Sequence, residues 1–232
     1  MMVGVLLAAG ASTRMGRPKA LAKTGRKTGQ ESYIAHGVRN LWCACDTVVV
    51  VLGANAKLIR KRTEDEFVRL VETGCFDQEL HAAHRHKAQK LEVRFVVNRA
   101  WKKGMYSSAR VGLEAALKYD PAGLFVLPVD HPPVRPATVL DLGTVMAQAI
   151  HAAHGPARRP AARRTAFSYA LVPRRRGRRG HPIVLTGALA RAIVKDRGAE
   201  NLSDAVRRSA RLVGYLDVRD AGITRNVNRP GD

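Results

Sequence analysis

The chain alternates short continuous apolar runs with longer segments in which apolar residues recur every three or four positions. Apolar runs of about four to eight residues bounded by turn residues are typical of buried strands, whereas the wider spacing is typical of amphipathic helices. The runs predict strands at 3–9, 47–52, 91–97, 123–128, 166–172, 182–186 and 211–218. The spaced segments predict helices at 31–42, from the residue after Asn55 to about residue 72, and at 106–118, 136–153, 187–195 and 200–209.

Strands that alternate with helices of this length indicate βαβ units and a mostly parallel sheet with right-handed crossovers. A chain of 232 residues can bury one substantial core, and α/β sheets of this size commonly form one domain. We therefore expect one α/β domain over residues 1–232, with a mostly parallel, doubly wound, Rossmann-like sheet. Ligands of such sheets bind at the carboxyl ends of the strands, so residues that follow strands are candidates for the site.

The segment after the first strand is rich in small residues and carries two cations. It reads Gly10-Ala-Ser-Thr-Arg14-Met-Gly16-Arg-Pro-Lys19. Small residues allow backbone N–H groups to approach a ligand closely, and the cations favour phosphate. Neither the Walker phosphate loop nor the dinucleotide pattern G-x-G-x-x-G fits this spacing. The segment therefore predicts a loop that wraps the phosphates of a nucleotide.

Residues 7–19 match the pattern Leu-Ala-(Ala/Gly)-Gly-x-Ser-x-Arg-Met-Gly-x-x-Lys. The chain therefore resembles the MobA-like NTP transferases, a family that includes the molybdenum cofactor guanylyl- and cytidylyltransferases. Ala9 stands where guanylyl-transferring members usually have glycine, so the resemblance favours CTP over GTP. It implies catalytic roles for Arg14 and Lys19. It also implies a nucleotide site made of Leu7, Ala8, Ala9, Gly10, Ala11, Ser12, Lys19 and Ser108.

A metal site is expected where the fourth strand ends. Asp130 follows that strand, and a carboxylate there suits Mg²⁺, which prefers oxygen ligands and keeps substrate phosphates in its shell. The family carries its metal-binding aspartate in a similar Asp-x-Pro context. The end of the chain, residues 226–232, resembles the family's closing pattern and places Asn228 as the second ligand. Arg229 departs from the threonine of that pattern, and Asn228 supplies no charge, so nucleotide phosphates would have to attract the metal.

Two further segments resemble parts of the family that border the acceptor. The first runs from Gly104 to Leu113 and contains Ser107 and Ser108 at the start of a predicted helix. Those serines suit either capping of the helix or contact with a ligand, and the residues leave both readings open. The second is Gly177-Arg-Arg-Gly180-His181-Pro, which resembles a Gly-x-x-Gly-His-Pro segment of the cytidylyl-transferring members. The resemblance therefore implies that Gly104, Ser107, Gly180 and His181 bind the acceptor.

The chemistry implied is attack by an acceptor phosphate oxygen on the α-phosphorus of a nucleoside triphosphate, with release of pyrophosphate. A phosphate acceptor is already ionised at neutral pH, so the reaction needs no general base. Its barrier lies in bringing anions together and in stabilising charge on the leaving group. The molybdopterin cofactor is the acceptor that the resemblance suggests, and a sugar phosphate or another phosphorylated metabolite is the alternative.

The charge of the chain is unusual and leaves a second class of function open. Forty Lys and Arg against nineteen Asp and Glu give a net charge of +21. Such a surface attracts polyanions, so a nucleic-acid-binding protein with a vestigial nucleotide site is the alternative from another class. Many of the cations fall in a basic loop expected around residues 155–180: Arg158, Arg159, Arg163, Arg164, Arg174, Arg175, Arg176, Arg178 and Arg179.

The remaining composition favours a cytoplasmic protein. No apolar run approaches the roughly 20 residues that span a bilayer, so no membrane partner is expected. The three cysteines, Cys43, Cys45 and Cys75, have no zinc-binding or redox-motif spacing, and their odd number suits a reducing compartment.

Overall fold

The computed structural model describes residues 1–12, 16–24, 31–72, 92–131, 134–154 and 167–227. Its strands are β1 (Met2–Ala8), β2 (Thr47–Leu52), β3 (Glu92–Val97), β4 (Gly123–Pro128), β5 (Tyr169–Arg175), β6 (Arg178–Arg179), β7 (Ile183–Thr186) and β8 (Leu212–Asp217). Its helices are α1 (Tyr33–Trp42), α2 (Ala56–Glu72), α3 (Met105–Ala116), α4 (Pro136–His154), α5 (Gly187–Lys195) and α6 (Leu202–Ser209).

The described strands form one sheet in the order β3-β2-β1-β4-β7-β5-β6. Strand β8 is outside this order and pairs with β5 on the side away from β7. The first four strands are parallel to one another, and β8 is parallel to β5. By contrast, β7 is antiparallel to both β4 and β5. Two reversals restore the direction, so β5 runs the same way as β4 and ends at the same edge of the sheet.

The core lies on both faces of this sheet. Every residue of β2 and β4 is buried, because these strands are covered above and below. On one face, side chains of β1 and β4 pack with α3, α5 and α6, represented by Leu113, Ile193 and Val206. On the other face they pack with α1 and α4, represented by Leu41 and Met146. The chain is therefore an α/β domain with a mostly parallel sheet between helical layers.

Most element predictions are confirmed. Strands β2 and β4 and helix α5 begin and end where the apolar pattern predicts. The strand expected at 166–172 instead covers Tyr169–Arg175, three residues later. The pattern stopped at the last apolar residue, whereas the strand continues through Arg174 and Arg175 because β6 and β8 pair with them.

The expectation of a basic loop around 155–180 is wrong for its last part. Arg174–Arg175 and Arg178–Arg179 are paired strand residues, joined by the two-residue turn Arg176-Gly177. The φ angles of that turn are 49° and 76°, the left-handed region that two-residue hairpin turns of type I′ require. Residues 155–166, with the arginines from Arg158 to Arg164, lie outside the described residues.

No helix of the described part of the chain is both long and apolar enough to cross a bilayer.

Candidate nucleotide-binding site

The loop after β1 is held at both ends by hydrogen bonds. The backbone N–H of Ala54, just after β2, donates to the carbonyl of Ala9 over 3.1 Å. Ser12 has a φ of 55°, and its hydroxyl accepts a hydrogen bond from the backbone N–H of Lys19 over 2.8 Å. A non-glycine residue at positive φ persists only where its surroundings hold it. The described parts of the loop, residues 9–12 and 16–19, are therefore held in place by the protein itself. Arg14 lies outside the described residues.

A cavity of about 340 Å³ opens beside this loop at the carboxyl edge of the sheet; we call it the edge cavity. Its walls come from the ends of β1 and β4, from the loop, and from the start of α3. Gly104 and Asp130 line it. The predicted nucleotide-binding residues also line it: Leu7, Ala8, Ala9, Gly10, Ala11, Ser12, Lys19 and Ser108. The fold thus brings together groups that are more than a hundred residues apart in the chain.

Asp130 lines the edge cavity and contacts two basic side chains. One of its oxygens lies 3.6 Å from the Nζ atom of Lys19, and the other lies 3.0 Å from the Nδ1 atom of His131. Burial alone would raise the pKa of Asp130, but the hydrogen bond from His131 and the charge of Lys19 outweigh burial and lower it. An ionised carboxylate only accepts hydrogen bonds, so Nδ1 of His131 carries the proton in this contact.

His181 contacts His131 and is not among the residues that line the edge cavity. Its ring packs edge-on against that of His131, with 4.8 Å between centroids. Burial lowers the pKa of His181 to about 4, and its Nδ1 atom has no hydrogen-bond partner in the described structure. His181 is therefore a neutral ring near neutral pH, and its ring packs against that of His131.

Gly180 has a packing reason to be glycine. A Cβ atom there would lie 2.3 Å from the carbonyl oxygen of Ile223. The backbone N–H of His181 donates to that same carbonyl, and the N–H of Gly180 donates to Pro173. Neither Gly180 nor His181 is among the residues that line the edge cavity, so an acceptor role for either residue stays a prediction.

The described end of the chain is fastened to the site. The backbone N–H of Val227 donates to the carbonyl of Asp130 over 2.9 Å, and the Val227 side chain is buried. Asn228, the second predicted metal ligand, follows Val227 but lies outside the described residues. Within the described ranges, no three His, Cys, Asp or Glu side chains converge as a metal site. The described side chains of these four types therefore do not complete a metal site by themselves.

Helix α3 begins without either predicted serine cap. Gly104 is its N-cap residue and makes no side-chain cap hydrogen bond, whereas Ser107 and Ser108 lie inside the first turn. The capping reading of the serines is therefore wrong. The Ser107 hydroxyl lies 2.8 Å from the carbonyl of Gly104, to which it donates, and only Ser108 of the two serines lines the edge cavity.

Asn98 is a site residue that the sequence analysis missed. It directly follows β3, and its side chain is buried. Its amide nitrogen donates to the hydroxyls of Ser107 and Ser108 over 2.9 and 3.0 Å, and its amide oxygen accepts from Ala100 N–H. Asn98 therefore sets the orientation of Ser108 at the cavity wall. Its signal was present, since it is a polar residue immediately after a predicted strand.

Residues 4–212 match the MobA-like NTP transferase domain. The chain belongs to this family. It is accordingly a nucleotidyltransferase, and the small-residue loop of the family signature is the loop that forms the edge cavity.

One curated relative is the nicotine blue oxidoreductase of Paenarthrobacter nicotinovorans. It is 31% identical over 236 residues, covering 98% of this chain and 92% of the relative. The name of that protein describes redox chemistry, whereas the family of this chain is named for nucleotidyl transfer.

Two proteins of known structure share the fold. Rv0371c of Mycobacterium tuberculosis has a TM-score of 0.63 at 20% identity and covers 98% of this chain and 93% of its own. A manganese complex of that protein has a TM-score of 0.56 at 21% identity, with coverages of 94% and 87%. Molybdopterin-guanine dinucleotide biosynthesis protein A of Archaeoglobus fulgidus has a TM-score of 0.53 at 18% identity, with coverages of 99% and 93%.

Proposed function

We propose that this MobA-like NTP transferase moves CMP from CTP to a phosphorylated acceptor, with release of pyrophosphate and with Mg²⁺ at Asp130. The observation that carries the proposal is the edge cavity, in which the small-residue loop meets the Lys19–Asp130 pair. An anionic substrate and a cation can both be accommodated where one cationic and one anionic side chain already face each other.

Asp130 fits a divalent metal. Its low pKa keeps it ionised, a quarter of its side chain is exposed, and it lines the cavity. Each carboxylate oxygen can accept more than the one contact described here. Magnesium commonly binds through one or two carboxylates plus substrate phosphates. When bound, the metal would neutralise charge on the phosphates. The manganese complex of Rv0371c supports a divalent metal in this fold.

The chain's own residues would act by holding and orienting anions. Lys19 lies between Ser12 and Asp130, so a phosphate in the loop would meet its ammonium group. A charge pair at 4 Å contributes about 4 kcal/mol at an effective dielectric of 20, before desolvation. Asn98 holds Ser108 in place at the cavity wall. An acceptor phosphate brings its own ionised oxygen, so positioning and electrostatics account for the reaction.

The acceptor that we propose is the molybdopterin cofactor, on the strength of the family, with a sugar phosphate as the alternative. We place the reaction in the cytoplasm, because the three cysteines have no zinc-binding or redox-motif spacing and their odd number suits a reducing compartment. Pyrophosphate release from CTP should be measured with each acceptor separately. Oxidation of NADPH, measured in parallel, tests the redox chemistry that the name of the nicotine blue relative describes; the chain itself lacks the G-x-G-x-x-G pattern of dinucleotide binding.

The preference for CTP depends on Ala9. This residue directly follows β1, lines the edge cavity and is buried, so its methyl group takes room that glycine would leave for a larger base. Mismatches of shape and hydrogen bonding can discriminate substrates by several kcal/mol when polar groups are left unpaired. We expect CTP with Mg²⁺ to bind more tightly than GTP, and Ala9→Gly to narrow the difference.

Calorimetric titration of both nucleotides tests this preference. Ala11→Gly is the matched control, because it removes a methyl group from the same loop and the same cavity wall. The control should change the affinities for CTP and GTP by the same factor. GTP binding that equals or exceeds CTP binding in the unmodified protein would contradict the cytidylyl assignment.

A further inference from the structure

Residues 174–179, which we call the basic hairpin, rise from the same edge of the sheet as the edge cavity. Five of these six residues are arginine, and the sixth is Gly177. Strands β5 and β6 pair Arg174 with Arg179 and Arg175 with Arg178. Neighbouring residues of a strand point to opposite faces, so each face of the hairpin carries one cross-strand arginine pair.

One face of the hairpin is compensated. Arg174 makes a two-pronged ion pair with Asp217 of β8, at 2.8 and 2.7 Å. The guanidinium groups of Arg174 and Arg179 lie 5.2 and 5.3 Å from the ring centroid of Tyr215. A carboxylate and an aromatic face thus offset the repulsion between these two cations.

The other face is not compensated within the described residues. Arg175 and Arg178 are directly opposite each other, and no described carboxylate forms an ion pair with either of them or with Arg176 at the tip. The Nε–H group of Arg175 donates a hydrogen bond to the backbone carbonyl of Arg219 over 3.3 Å, and that carbonyl carries no net charge. Like charges directly opposite in a sheet are destabilising, so a bound anion would relieve this pair.

We propose that the basic hairpin docks the phosphodiester backbone of a nucleic acid. All its cations are arginine, whose planar fork matches phosphate oxygens in pairs. From Arg174 to Arg179 there is no apolar side chain to form the centre of a protein interface. The proposal is independent of the nucleotide chemistry in the edge cavity.

Fluorescence anisotropy of a labelled 20-nucleotide single-stranded RNA, titrated at several salt concentrations, tests the proposal. The test variant is R175Q/R176Q/R178Q, which leaves the Arg174–Tyr215–Arg179 contacts intact. The matched control is K57Q/K61Q/R62Q, three exposed cations of α2 whose loss lowers the net charge equally. R175K/R176K/R178K keeps the hairpin charge but removes the guanidinium forks. Thermal unfolding establishes that each variant is folded.

We expect the hairpin glutamine variant to bind at least about tenfold more weakly near 0.15 M salt. The slope of the logarithm of its binding constant against the logarithm of salt concentration should fall in magnitude by about two to three, since each phosphate contact contributes roughly 0.7–0.9. The α2 control should bind within about threefold of the unmodified protein. The lysine variant should keep most of the slope and lose several-fold in affinity.

Equal weakening of the hairpin and α2 variants would overturn the proposal, because net charge alone would then explain binding. The same holds if poly-glutamate of matched charge binds as tightly as the RNA and shows the same loss in the hairpin variant. The surface would then be a docking site for acidic protein.

Discussion

The edge cavity and the basic hairpin lie at the same edge of one sheet but treat charge in opposite ways. In the cavity, Asp130 has a cation on one oxygen and a hydrogen-bond donor on the other. In the hairpin, Asp217 forms an ion pair with Arg174, and no described carboxylate forms an ion pair with the other four arginines. A ligand of the cavity must therefore displace contacts that the side chains already make, so its shape decides whether it binds. A ligand of the hairpin supplies negative charge to arginines that have no described carboxylate, which favours tight binding over selectivity.

The largest effect that this comparison predicts concerns Asp130. Asp130→Asn removes the charge that would hold the metal, and nucleotidyl transfer should fall by roughly a thousandfold, as when a key electrostatic group is removed from an active site. Asn228→Ala should cost far less, because it removes no charge. Binding of metal-free CTP should not weaken in Asp130→Asn, since a repulsive carboxylate is gone. Steady-state kinetics and titrations without metal check these results, and equal losses in the two variants would refute this arrangement.

The next largest effect concerns the pH dependence of stability. The pKa of His181 is about 4 in the folded protein and about 6.5 when exposed. The unfolded chain therefore binds a proton that the folded protein excludes, so stability is lost as pH falls from about 6.5 to 4. The loss should reach about 3 kcal/mol. The low pKa of Asp130 adds a loss only at still lower pH.

Urea unfolding at a series of pH values measures this loss. His181→Gln should flatten the curve between about pH 4 and 6.5 relative to the unmodified protein, whatever its effect on absolute stability. A variant that keeps the full slope in this range would show that another group is responsible.

A smaller effect separates two glycines next to the cavity loop. A Cβ atom at Gly53 would lie 2.5 Å from the carbonyl oxygen of Ala9 and 2.7 Å from Cβ of Trp101, whereas one at Gly10 meets nothing within 4 Å. Gly53→Ala should destabilise the fold by about 1–3 kcal/mol through overpacking. Gly10→Ala should leave stability unchanged within about 0.5 kcal/mol. Because Gly10 lines the cavity, its added methyl group should weaken CTP binding several-fold.

Thermal unfolding and calorimetry of the same two variants provide the check. Unchanged CTP affinity in Gly10→Ala would show that the loop does not face a ligand. A loss of stability in that variant would show that the space beside Gly10 is not open.

The fold could be predicted from the sequence where burial is complete. Strands β2 and β4 are buried along their whole length, so their apolar runs end where the strands end. Position after a strand also pointed correctly to Asp130 at the edge of the sheet, and the same rule would have found Asn98. The 3.6 Å approach of Lys19 to Asp130 depends on the pairing of β1 with β4, which local pattern does not encode.

The basic hairpin could not be predicted in the same way. Its strands end in arginines, which break the apolar pattern, and Arg176 occupies a positive φ that arginine rarely adopts. The pairing is set by the turn and by contacts with β8, not by burial. Strand β7 runs antiparallel to β5 for a related reason, because the segment between them is too short for the crossover that parallel strands need.

The central claim is that the edge cavity binds a nucleoside triphosphate through Lys19. Calorimetric titration of CTP with Mg²⁺ into the unmodified protein and Lys19→Ala tests it most directly, with Lys118→Ala, an exposed residue, as the control for loss of one charge. We predict one site per chain and at least about tenfold weaker binding in Lys19→Ala, equivalent to about 1.4 kcal/mol. The control should be unchanged, and all three proteins should unfold at similar temperatures. Equal affinity in the folded Lys19→Ala protein, or no CTP binding to the unmodified chain, would contradict the claim.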